Sequence, residues 1–104
     1  MVRVFLLCVA LLASSGVPAQ TGSGESYQPA SGQPGKDVVW VPTPYALIEK
    51  MLDMAQVTPQ DYVMDLGSGD GRNIIMAAKR GAKALGVEYN SEMVALSRRN
   101  AAKE

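Results

Sequence analysis

Gly67, Gly69 and Gly71 stand at alternate positions within "VMDLGSGDGRN", residues 63–73, with Ser68 between the first two and the carboxylates of Asp65 and Asp70 on either side. Glycine at these places lets a chain turn sharply out of a strand and lets a ligand touch main chain where a Cβ would intrude. A helix that begins directly after such a turn aims unpaired N–H groups into the same space, which suits a negative or polar ligand group. Glu88, about 20 residues beyond the first glycine, falls where nucleotide-binding α/β units place an acid on ribose hydroxyls. Each of these side chains has a plainer use as well. Asp65 can cap backbone amides, Asp70 can be a helix N-cap, and Tyr89 can be a packing residue.

The rest of the chain narrows the chemistry. There is no histidine, and Cys8 is the single cysteine, which excludes a His-ligated metal, a nucleophile activated by histidine and an intrachain disulfide. Reactivity must come from carboxylates, backbone and a borrowed group; no metal site is expected and no catalytic residue is assigned. Ten basic and ten acidic residues balance, so the charge indicates neither nucleic acid nor an anionic membrane surface as partner. The Arg98–Arg99 pair reads as a solvated face, with a substrate patch as its alternative.

The elements that must position the glycines follow from periodicity. "KDVVWVPTP" is a short extended segment beginning near Lys36, with Thr43 expected as N-cap and Pro44 as first residue of a helix. Leu47, Ile48, Met51, Leu52 and Ala55 recur on one helical face. "TPQD" is turn chemistry, and Tyr62 to Leu66 reads as a buried parallel strand. Arg72 to Arg80 predicts a helix packed on a sheet, stopped by Gly81, before a second strand that ends near Glu88. Asn90 or Ser91 then caps a last helix with Glu92 in its first turn and basic residues toward its C-terminal end. Two strands joined by a helical crossover make a βαβ unit with parallel strands.

The first residues differ in kind. "MVRVFLLCVALLASSGVPAQ" has Arg3 near the terminal amine, an apolar stretch and then small residues, the order of a secretory signal over residues 1–19 with cleavage after Ala19. The stretch is shorter than the roughly 20 apolar residues of a membrane-spanning helix, so export to the periplasm or beyond is expected and a membrane anchor is the alternative. Residues 20–36, rich in Gly, Ser, Pro and Gln, read as a flexible linker.

A dinucleotide site would read GxGxxG, whereas here D-x-G-x-G-x-G is followed by an acid after the second strand. This resembles motif I and the ribose-binding acid of class I S-adenosylmethionine-dependent methyltransferases. "WVPTP" ahead of a helix, then "DLGSGDGR", then "GVEYN" is similar to a family of bacterial and mitochondrial methyltransferases that methylate protein lysines. The resemblance implies a Rossmann-like α/β fold and S-adenosyl-L-methionine as cofactor. It places Asp65 toward the methionine end, Gly67, Ser68, Gly69, Asp70 and Gly71 in the cradle, Glu88 on the ribose diol and Tyr89 beside adenine. It also implies that residues 37–104 are the N-terminal part of such a domain, its first βαβα portion, with the acceptor pocket carried elsewhere. A nucleotide or dinucleotide binder and an exported, non-catalytic interaction fragment are the alternatives; the methyl acceptor and the oligomeric state are left open.

Overall fold

The computed structural model describes residues 26–104. The signal expected over residues 1–19, and with it Cys8, lies outside the described residues, as does the first part of the expected linker.

Strand β1 (Tyr62–Leu66) pairs in parallel with β2 (Lys83–Val87), Tyr62 opposite Lys83 and Leu66 opposite Val87. Helix α2 (Arg72–Lys79) is the crossover between them, α1 (Tyr45–Met54) precedes β1, and α3 (Ser91–Ala101) follows β2. This is the expected order of helix, strand, helix, strand, helix. Gly81 adopts a left-handed φ of 86° after α2 and lets the chain reverse into β2. Asn90 caps α3, its side chain accepting from the amides of Glu92 and Met93 at 2.9 and 3.2 Å.

The core forms where three apolar surfaces meet. Ile48 and Leu52 of α1 are buried against Ala77 of α2, with Val63 of β1 and Ala84 of β2 closing the cluster from the sheet side. Of the apolar positions expected to face inward on α1, Leu47 and Met51 remain about half exposed. The strands also differ from the fully buried pair that was expected, since every second residue is exposed in each. Tyr62, Met64 and Leu66 on β1, and Leu85 and Val87 on β2, are the exposed large apolar side chains. In strand geometry these positions share one face, and α1 and α2 pack on the other.

Two local details depart from expectation. Helix α1 begins one residue later than predicted, with Pro44 rather than Thr43 in the N-cap position and no side-chain cap. Proline has no N–H to leave unsatisfied, and its carbonyl accepts from Leu47 and Ile48. The end of the expected linker is structured: Gly32 N–H donates to the Trp40 carbonyl at 2.7 Å, Trp40 N–H returns to the Gln33 carbonyl at 2.9 Å, and Pro34 and Val39 bridge antiparallel. A left-handed Gly32 (φ 85°) belongs to the turn just before this pairing, closed by the Gln33 N–H donating to the Ala30 carbonyl at 3.0 Å.

Candidate functional site

The loop out of β1 is shaped by three left-handed glycines, with φ of 86° at Gly67, 54° at Gly69 and 85° at Gly71. A side chain at any of them would be strained, which is the backbone reason for the spacing. The amides of Gly67 and Ser68 both donate to the Val87 carbonyl, at 2.7 and 3.0 Å, so the loop folds across the tip of β2. Ser68 is buried beside Gly86, where an added Cβ would lie 2.6 Å from the Ser68 hydroxyl and from Ile74 Cδ1.

Glu88 stands at that same tip. One carboxylate oxygen accepts from Gly69 N–H at 2.8 Å and the other from Asn90 N–H at 2.9 Å. The acid expected to meet a ligand is thus tied to the glycine loop itself, and each oxygen keeps acceptor capacity for a further donor. Tyr89 is 77 % exposed with the Lys36 ammonium 5.0 Å from its ring centroid, so it is a surface side chain rather than a core one.

The two aspartates part ways. Asp65 Oδ2 accepts from Asn73 Nδ2 at 3.0 Å, across the turn from β1 to α2, while Asn73 Oδ1 is buried without a hydrogen-bond partner among the described residues. Asp70 is buried, and its carboxylate meets Arg72 in a fork, Nη2 at 2.7 Å and Nε at 3.1 Å from each oxygen. Asp70 is not the N-cap of α2, a position held by Gly71; its carboxylate takes the Arg72 amide at 3.3 Å from one residue further out. The hydrogen bond and charge of Asp70 raise the Arg72 pKa above its ordinary value against the opposing effect of burial, so the guanidinium stays charged.

Arg72, Asn73, Trp40 and Asn100 belong to the site without having been expected there. Arg72 Nη1 donates to the Thr43 carbonyl at 3.0 Å, and Asn100 Nδ2 to the Asp70 carbonyl at 3.0 Å. The Trp40 indole lies over the loop, with Nε1 2.6 Å from where a Cβ on Gly69 would stand. An open cleft of ≈ 290 Å³ runs beside these groups, lined by Gln28, Pro29, Trp40, Tyr45, Asp70 and Arg72 among others. The available signal was the position of Arg72 and Asn73 directly after the glycines; nothing local in the sequence pairs either with its partner. No cluster of three or more metal-ligating side chains occurs among the described residues.

A parallel βαβ unit whose first turn is bare main chain, closed by an acid at the tip of the second strand, is a Rossmann-like arrangement, and the similarities of the chain are to class I S-adenosylmethionine-dependent methyltransferases. The profile of the family described as "Histone methylation protein DOT1" matches residues 25–103, and the chain belongs to that family. A protein-lysine N-methyltransferase of Saccharolobus islandicus is 51% identical over 59 residues, covering 55% of this chain and 37% of the relative. A lysine N-methyltransferase of Xenopus laevis, named for a component of ATP synthase, is 40% identical over 65 residues, 62% of this chain and 28% of the relative. Among solved structures, an RNA methyltransferase from Salinibacter ruber in complex with S-adenosyl-L-homocysteine superposes with a TM-score of 0.60 at 44% identity, over 61% of this chain and 42% of that one. The chain therefore spans less than half the length of each of these relatives.

Proposed function

We propose that this chain provides the cofactor cradle of an S-adenosylmethionine-dependent methyltransferase that acts on a protein lysine. The observation that carries the cofactor reading is the Gly69–Glu88 contact: main chain free of Cβ atoms, with a carboxylate fastened beside it. The donor set suits this cofactor. A diol needs acceptors, which Glu88 retains, and a cationic sulfur with an ammonium group beyond it favours carboxylates such as Asp65 where a pyrophosphate would be repelled. The bound cofactor supplies a methyl group on a positively charged sulfur. The chain's own share is placement: Gly67 to Gly71 would admit the methionine portion against main chain, Asp65 would serve its ammonium end, and Glu88 would hold the ribose. Placement is the larger part of catalysis for an in-line displacement between bound partners.

Lysine as acceptor is supported by the names of the Saccharolobus and Xenopus relatives. RNA is the second reading, favoured by the Salinibacter neighbour. The balanced charge adds no support of its own, because affinity for a phosphate backbone rests on cationic contacts. Incubation with methyl-labelled cofactor and with protein or RNA acceptors separates the two: label in RNA alone would remove the lysine assignment. Export guided by residues 1–19 is part of the same proposal, and no helix among the described residues is long and apolar enough to cross a membrane.

Calorimetric titration with S-adenosylhomocysteine tests the cradle. Hydrogen bonds to a charged group contribute about 1.5–3 kcal/mol, so Glu88→Ala should weaken binding by about one to two orders of magnitude. Gly69→Val should do at least as much, while Lys50→Ala on the exposed side of α1 should leave the affinity unchanged. Unaltered affinity in both cradle variants would remove the cofactor assignment, and a preference for NAD would replace it with the dinucleotide reading.

A further inference from the structure

Trp40, Thr43 and Tyr45 come from the segment ahead of the βαβ unit, yet all three meet the glycine loop or the residue that follows it. Arg72 is the partner of Thr43 and Tyr45. Its Nε and Nη2 grip Asp70, its Nη1 reaches the Thr43 carbonyl at 3.0 Å, and its guanidinium carbon lies 5.1 Å from the centre of the Tyr45 ring. Pro42 and Pro44 flank Thr43 and restrict the backbone on both sides of the gripped carbonyl. On the far side of that short stiff run the Trp40 indole rests on Gly69, and Trp40 is itself held from behind by the hairpin to Gly32 and Gln33.

We propose that Arg72 is a positioning residue for cofactor binding, clasping residues 40–45 onto the glycine loop so that the Trp40 indole forms a wall of the cradle. The proposal rests on the cofactor reading given above and adds a role for groups that reading does not use. Arginine suits the task because one planar fork can serve a carboxylate and a carbonyl together, whereas lysine is a point charge on a flexible stem. The indole brings its N–H edge to Gly69 and so stands as an apolar ring beside the glycine loop that the ligand would meet.

Trp40 is the single tryptophan of the chain, so its fluorescence reads the clasp directly. In the full chain without cofactor, Arg72→Lys and Arg72→Gln should shift the emission to the red and make it more readily quenched by acrylamide, with far-ultraviolet circular dichroism retained. S-adenosylhomocysteine affinity should fall about tenfold in both, as expected for losing hydrogen bonds to charged groups that preset a site. Trp40→Phe, with Arg72 intact, should keep most of that affinity because an aromatic wall remains. Unchanged emission and quenching in both Arg72 variants would overturn the clasp whatever the ligand proves to be. Released Trp40 with unchanged affinity would overturn the positioning role. If the wild-type chain took up no S-adenosylhomocysteine while the variants still released Trp40, the cofactor reading and the wall function would fall together, and the clasp alone would stand.

Discussion

At Gly71 the conformation and the surroundings both demand glycine: φ is 85°, and a Cβ there would run into the Ser97 side chain of α3. Gly71→Ala should therefore destabilise the fold by more than about 1 kcal/mol, since alanine at positive φ is strained even before it meets a neighbour. A urea midpoint no lower than wild type would show both that the loop relaxes out of the left-handed conformation and that α3 moves aside freely. The glycines and Glu88 were legible in the sequence because their constraint is local, a turn between a strand and a helix with an acid one strand later. The partners of Asp65 and Asp70 were not. That Asp70 meets Arg72 and Asp65 meets Asn73 depends on the direction in which the loop leaves β1, and both aspartates lie within two residues of a glycine. Trp40 was hidden for a stronger reason, as its contact with Gly69 is made across the fold.

Helix α3 is set by a cap that the sequence narrows to Asn90 or Ser91 and the structure gives to Asn90. Asn90 holds two of its first amides, and Glu92 sits in the first turn. Asn90→Ala should lower stability by about 1 kcal/mol, whereas Asn90→Asp should nearly preserve it, as read by denaturant midpoints. Equal losses in both would mean that the Asn90 amide serves something besides the cap. The spans of β1, α2 and β2 were foreseeable from apolar runs bounded by glycine and turn residues. The start of α1 was displaced because Thr43 and Pro44 can each occupy the cap position. The choice goes with tertiary structure, the Thr43 carbonyl being engaged by Arg72. The exposed half of each strand was not foreseeable, because an apolar run predicts burial without saying which layers supply it.

Over the molecule as a whole, one face of the sheet carries Tyr62, Met64, Leu66, Leu85 and Val87 in the open. Contiguous apolar surface of this kind drives association, so the isolated chain should self-associate with rising concentration in sedimentation velocity. Met64 and Leu85 are register partners across the two strands. The double variant Met64→Glu, Leu85→Lys places opposite charges at that pair. It should reduce association while shifting stability by no more than about 0.5 kcal/mol, the usual range for exposed sites. Persistent association in the double variant would move the sticky surface elsewhere, with the exposed Leu47, Met51 and Met54 of α1 the next to examine. Expressed in a bacterial host, the chain should also be recovered outside the cytoplasm, shortened near Ala19; intact cytosolic protein would remove the export proposal.

Through its two carboxylate oxygens Glu88 ties Gly69 to Asn90, so the chain's own hydrogen bonds hold the loop in place. Glycine is the residue with the most conformational freedom to lose, and a loop with three of them would ordinarily forfeit much of that entropy at the moment of binding. Here the loss is taken during folding instead, charged against the stability of the protein rather than against affinity. Ligand binding at this loop should then order few additional residues. Its signature would be a heat-capacity change no larger than the apolar area of the ligand accounts for, with loop amides already protected from hydrogen exchange in the free protein.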